Sequence, residues 1–268
     1  MPYSSFMLLV LLPAISLAEV TSFTRCPQFF VGGIPPTVLE DKTDNNRYEQ
    51  ICQCLLDQNQ KPEYFYATLY DTRNKIPVYS AYEFRRTDLD RDDRWYVEPQ
   101  LDGGTMECMG SLNKIPSANR GLRQALNKDY EGSGYDKGHL FPVYHTHTLD
   151  TMLATSTLTN AAPQDPSFNR GQWRRYEEDV ATLLQQECEG AYVVTGVIPG
   201  NQQIGDGVRV AQYYWSAFCC SGGSGALRSE GYIGPDNNGR VQKVEVKKLE
   251  AILSDHYGSE FSIFQGTC

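Results

Sequence analysis

The chain has 268 residues, 40% of them hydrophobic and 12% aromatic, and its 24 lysines and arginines stand against 33 aspartates and glutamates for a formal net charge of −9. That balance excludes a broadly basic, adhesive nucleic-acid binder, though not a local gathering of cations in a cleft. The apolar fraction supports a sizeable core, and with no internal repeat or low-complexity linker one domain is expected.

In chain order, residues 1–18 read as a cleaved secretory signal: an apolar centre at Leu8-Leu9-Val10-Leu11-Leu12 leads to small residues at Ser16-Leu17-Ala18. No lysine or arginine precedes the apolar run, so an uncleaved anchor is the alternative, although the run is short for a spanning helix. No later stretch is long and apolar enough to span, so a secreted chain without stable membrane association is expected. Residues 19–60 read as an N-terminal extension packed on a domain over 61–268. The eight cysteines (Cys26, Cys52, Cys54, Cys108, Cys188, Cys219, Cys220 and Cys268) all follow the signal and imply disulfides formed in an oxidising compartment. Cys52 and Cys54, and the adjacent Cys219 and Cys220, are too close to pair internally without strain, so each is expected to reach elsewhere. Zinc-type CxxC spacing is absent.

Arg47–Leu56 is compatible with a short helix or an extended piece. Tyr64–Tyr70 and Val78–Phe84 are aromatic and β-branched, and are expected to form a hairpin around Asp71-Thr72-Arg73-Asn74-Lys75. Arg85–Arg94 is a charge run whose signs cancel, read either as a solvated loop or, through Arg94 alone, as part of the site. A short helix is expected over Asn119–Asn127. Helix is also expected from Asn169 to Glu187, with Trp173, Tyr176, Val180 and Leu184 as its buried stripe, and from Lys243 to Tyr257. Tyr192–Val197, Val210–Phe218 and the vicinity of Gly231–Ile233 read as strands. Without a regular βαβ repeat, this mixture implies an α+β fold with a central, mainly antiparallel sheet and helices packed on it.

The chemistry concentrates between Tyr135 and Glu178, which holds three of the four histidines. His139 follows a Gly-rich turn on an extended piece, and histidine is the natural general base near neutrality. Asn169 and Glu177 offer hard oxygen donors suited to Mg2+ or Ca2+. Eight helical residues at about 1.5 Å rise separate them by roughly 12 Å, which suits one direct ligand, Asn169, and one contact through water, Glu177. A base beside a hydrated hard cation is equipment for phosphodiester hydrolysis. His145 and His147 could join His139 in a three-histidine metal site, but with no partner to orient them they are read as polar loop residues.

These residues resemble the DNA/RNA non-specific endonucleases with a ββα-metal site. That family carries Asp-Arg-Gly-His, Asn-x-x-Pro-Gln and Asn-x-x-x-Trp-x-x-x-Glu; here stand Asp136-Lys137-Gly138-His139, Asn160-Ala161-Ala162-Pro163-Gln164 and Asn169…Trp173…Glu177. Further similarity runs through Tyr192–Gly196, Tyr214-Trp215 and Val244–Leu253, so it covers roughly residue 64 to the C-terminus. The resemblance implies a ββα-metal site on one face of the sheet and a secreted, cysteine-rich endonuclease acting on DNA and/or RNA without sequence specificity. It makes His139 the base, gives Asn169 a Mg2+ ion (Mn2+ or Ca2+ being alternatives) and gives Glu177 a water of that ion. Arg94 and Lys137 would neutralise phosphate. Asn160 would stand on the substrate side, orienting the site or satisfying loop backbone rather than binding metal. Lys137 departs from the motif arginine, keeping the charge and losing the planar fork. That departure and the acidic balance motivate the alternative of a catalytically weakened extracellular binding protein on the same fold.

Overall fold

The computed structural model describes residues 20–37, 39–89, 94–222 and 225–268; the expected signal and Asp90–Asp93 of the charge run lie outside these. Seven antiparallel strands form the central sheet: β1 (Tyr48–Leu56), β2 (Pro62–Asp71), β3 (Ile76–Glu83), β6 (Gly190–Ile204), β7 (Val208–Ser221), β8 (Leu227–Pro235) and β9 (Gln242–Val244), side by side in that order. Between β3 and β6 the chain leaves the sheet and builds a separate antiparallel ribbon, β4 (Asp136–His139) and β5 (Ala161–Gln164). The helices are α1 (Asn127–Tyr130), α2 (Leu149–Thr155), α3 (Pro166–Phe168), α4 (Arg174–Glu187) and α5 (Val246–Tyr257). The sheet is thus antiparallel with few helices, as the α+β expectation requires.

Both faces of the sheet are covered, because successive strand residues point to opposite sides. Tyr214 and Phe218 of β7 face a core shared with Phe141, Phe168, Trp173 and Tyr176, while the intervening Trp215 and Ala217 face Leu249 and Leu253 of α5 with Phe23 and Phe261. The same alternation separates the adjacent cysteines: Cys219 pairs with Cys268 at the C-terminus, and Cys220 with Cys188 just past α4. Cys26–Cys52 and Cys54–Cys108 complete four disulfides, none formed within the two close pairs.

Several element boundaries differ from the sequence-based expectations. Residues 48–56 are a strand paired with β2 along its length, so a boundary at 60/61 falls in the β1–β2 turn. Asn119–Asn127 is mostly turn; helical conformation is confined to a 3-10 turn at Ser117–Asn119 and to α1. Residues 242–244 are β9, so the last helix starts at Val246. The helix expected from Asn169 opens three residues earlier, at Pro166. There Asp165 accepts from the Ser167 and Phe168 amides at 2.8 and 3.2 Å, and proline at the first helical position costs no hydrogen bond. Between α3 and α4 the chain makes a π-helical turn, Asn169–Trp173. Trp173 is 1% exposed, in the core as its spacing predicts. Among the described residues no helix is long and apolar enough to cross a membrane.

Candidate active site

The β4–β5 ribbon and the α3–α4 helix lie against one face of the sheet, and a cavity of about 520 Å³ opens between them. Gly138 is required for this approach: a Cβ there would meet the Gln164 side chain and lie 2.6 Å from the Tyr214 hydroxyl. That hydroxyl donates to Ala162 at 2.9 Å and fastens the ribbon to β7. The alternation that turns Gly138 inward turns Lys137 and His139 outward, and both line the cavity. The His139 imidazole packs on the Trp95 ring, centroids 4.7 Å apart. The Lys137 ammonium lies 5.1 Å from the Trp95 ring and 5.7 Å from that of Tyr130, and burial pushes its pKa down.

Across the cavity stands the helix. Asn169 lies on the π-helical turn, and its amide donates to Asp136 at 2.9 Å. Asp136 is also held by Arg170, at 2.8 and 2.6 Å. Because the –NH2 of Asn169 is committed to Asp136, its carbonyl oxygen is the atom left for a ligand. Two turns on, Glu177 lines the same cavity. Burial pushes its carboxyl up to about 8; the neighbouring Glu178 charge adds to this, and the Trp173 indole and Arg174 oppose it. A carboxyl so placed is stabilised in its charged form by a nearby cation.

The backbone at Glu177 is fixed from beneath. His145 is 2% exposed, its Nε2 lies 2.9 Å from the Glu177 carbonyl oxygen and its Nδ1 2.8 Å from the Tyr82 hydroxyl. A carbonyl can only accept, so Nε2 donates and Nδ1 accepts from Tyr82. Both nitrogens are used, and burial lowers the imidazole pKa to about 4.

Of the residues predicted for the site, His139, Lys137, Asn169 and Glu177 come together around one cavity. Arg94 does not join them: it is exposed, next to Trp95 in the chain, and outside the lining of this cavity. Asn160 is fully buried. Its amide donates to the Phe141 and Thr155 carbonyls at 3.0 and 2.9 Å and accepts from Ser80 and the Phe141 amide. Its expected place on the substrate side is therefore corrected to that of a backbone clamp, with no polar atom left for substrate. His145, expected in a polar loop, is a buried strut; His147 is half-buried and outside the cavity lining. Among the described residues no three His, Cys, Asp or Glu side chains are grouped to hold a metal. The donor set instead fits a hydrated hard cation, which needs one oriented oxygen and neighbouring carboxylates rather than a cage of ligands.

Sequence reasoning gives no role to Asp136, Arg170, Arg86 or Arg174. Asp136 is visible inside its motif, but it meets Asn169 only through tertiary pairing. Arg86 sits in the charge run read as a solvated loop, yet its guanidinium stacks 4.0 Å over the Tyr144 ring at the cavity wall. The wall thus sets Arg86, Lys137, Arg170 and Arg174 beside Asp88, Glu177 and Glu178, with Arg86 paired to Asp88 and Arg174 to Glu178.

The family model for DNA/RNA non-specific endonuclease matches residues 45–266. The chain belongs to that family. Human Endonuclease domain-containing 1 protein is 33% identical over 261 residues, covering 93% of this chain and 49% of its own length. The mouse protein of that name is 30% identical, covering 76% and 40%. The chain thus spans about half the length of these relatives. Human mitochondrial Endonuclease G is 34% identical over 149 residues, 55% of this chain and 46% of its own length. In fold, this endonuclease-family chain is similar to a structure solved for the EndoG/EndoGI complex, with TM-score 0.57 and 22% identity over 76% of this chain and 84% of that one.

Proposed function

We propose that the protein is a secreted, metal-dependent endonuclease that hydrolyses DNA and/or RNA without sequence specificity. The single observation that carries this reading is the common cavity of His139, Lys137, Asn169 and Glu177, with Asp136 orienting the Asn169 amide.

His139 accepts the proton of a water that attacks phosphorus in line. The Trp95 ring limits the rotation of the imidazole and keeps solvent from one side of it. Lys137 sets positive charge against a non-bridging phosphate oxygen, as a point charge where the motif arginine would supply a fork. Arg94, exposed and next in the chain to Trp95, meets phosphate farther along the strand. The carbonyl oxygen of Asn169, with Glu177 through water, would hold Mg2+, or Mn2+ or Ca2+ in its place. The bound ion supplies charge neutralisation at the phosphoryl group and at the leaving 3′-oxygen. Membership of the DNA/RNA non-specific endonuclease family supports cleavage without sequence preference. Four disulfides support passage through an oxidising compartment, with residues 1–18 as the signal removed on the way.

The test is cleavage of plasmid and RNA titrated against Mg2+, wild type beside Asn169→Ala, together with N-terminal sequencing of protein collected from medium. The account expects a maximal rate at least about 100-fold lower in the variant and a mature chain starting just past residue 18. Equal Mg2+ dependence in the two proteins would remove Asn169 as the ligand, and a folded wild type inert in every divalent ion would favour the binding-protein alternative.

A further inference from the structure

A second cavity, of about 740 Å³, adjoins the first, and Lys137, Asn169 and Arg170 line both. Its remaining wall is built differently. Three aromatic side chains, Trp95, Tyr130 and Tyr135, stand around it with the amide of Asn127 and the carboxylate of Glu131. Tyr130 is 7% exposed, and among the described residues its buried hydroxyl has no hydrogen-bond partner. None of these residues belongs to the endonuclease motifs.

We infer that this second cavity is a subsite for one unstacked nucleobase, so that the cleft binds unpaired, single-stranded nucleic acid more tightly than duplex, which it still engages through phosphate. The inference rests on the nuclease reading above for the position of the phosphate. Lys137, Asn169 and Arg170 form the partition between the cavities, so a phosphate seated on them leaves the attached sugar and base over the second. Aromatic walls give a flat heterocycle stacking surface whatever its identity. The Asn127 amide offers both a donor and an acceptor to its edge. Glu131 and Asp136 in the same wall disfavour a second phosphate, which separates a base subsite from an extension of the anionic track. A base inside a duplex stays paired and stacked and cannot turn into such a cavity, whereas single strands splay their bases onto aromatic side chains.

The test uses the full chain in EDTA, so that nothing is cleaved, and reads tryptophan fluorescence. Trp173 and Trp215 are 1% and 0% exposed, so Trp95 reports the cavity. The probes are a single-stranded DNA octamer, the same octamer with abasic residues throughout, and the octamer as duplex. The expected result is quenching by the single strand with an affinity about tenfold above either control, as removal of one base–aromatic stack produces. Tyr135→Ala should abolish that difference, while Tyr135→Phe, which keeps the ring, should retain it. Equal affinity for the base-containing and abasic strands, or a preference unchanged in a folded Tyr135→Ala protein, would overturn the subsite. Parallel cleavage of the octamer in Mg2+ separates the two readings. Cleavage without base-dependent binding overturns the subsite alone; base-dependent binding without cleavage supports the subsite and counts against the nuclease.

Discussion

Asp136 is the residue on which the proposed metal site turns, although it need not touch the ion. It accepts the Asn169 amide hydrogens and is held in turn by Arg170, so it selects which end of the Asn169 amide faces the cavity. Replacing it by asparagine sets an amide against an amide and releases Arg170. Asp136→Asn is therefore expected to weaken Mg2+ dependence of cleavage by about 10- to 100-fold, the usual effect of losing a residue that orients a metal ligand, while the circular dichroism spectrum stays that of the folded wild type. Unchanged metal dependence would show that Asn169 is oriented by something else. Motif spacing makes His139, Asn169 and Glu177 legible in the sequence, since each motif is local. Arg86 and Arg170 are not legible there, because a charged residue on a polar face has the same sequence signature whether it meets solvent or a cleft.

At the scale of elements, the junction between α4 and the sheet carries the clearest pH dependence. His145 joins β3, through Tyr82, to the helix carbonyl of Glu177, and it does so as a neutral imidazole with a folded pKa of about 4 against 6.5 when free. A base whose pKa is depressed on folding contributes stability that is present above its unfolded pKa. That stability is lost as pH falls from 6.5 toward 4, by up to roughly 3 kcal/mol over the interval. The Tm of wild type should therefore exceed that of His145→Gln at pH 7, and the gap should close as pH falls to 4; a gap constant with pH would contradict the neutral strut. Taking the difference between the two proteins removes the opposing contribution of Glu177, whose raised pKa favours the folded state at low pH and loses that advantage as pH rises through about 8. Helix and strand identities are mostly legible from period, as with the Trp173 stripe and the β7 alternation. The start of the helix is not, because the Asp165 cap and the π-helical turn depend on hydrogen bonds that hydrophobic spacing does not encode. His145 escapes the sequence for a related reason: a polar residue in a loop-like stretch looks solvated until the fold buries it, whereas the backbone-satisfying role of Asn160 is one of the two that its motif suggests.

For the whole molecule, the disulfides tie peripheral elements to the sheet. Cys188–Cys220 fastens the end of α4, the helix that carries Glu177, to β7 across 32 residues of chain. Replacing both cysteines by alanine should cost about 3–4 kcal/mol of stability, read as a fall in the denaturation midpoint, and should lower cleavage by loosening one wall of the cavity. A midpoint unchanged from wild type would mean that α4 packing alone holds that wall. The acidic net charge is compatible with phosphate binding because only the cleft, where four cations stand among three carboxylates, must meet phosphate; non-specific turnover does not require tight binding over the rest of the surface. The measurement that tests the central claim most directly is plasmid and RNA cleavage by the refolded chain in Mg2+, in EDTA, and after His139→Ala. The account predicts cleavage in Mg2+, none in EDTA, and a loss of about 100-fold or more in the variant. Cleavage that survives EDTA or the loss of His139, or its absence from a folded wild type in any divalent ion, would contradict it.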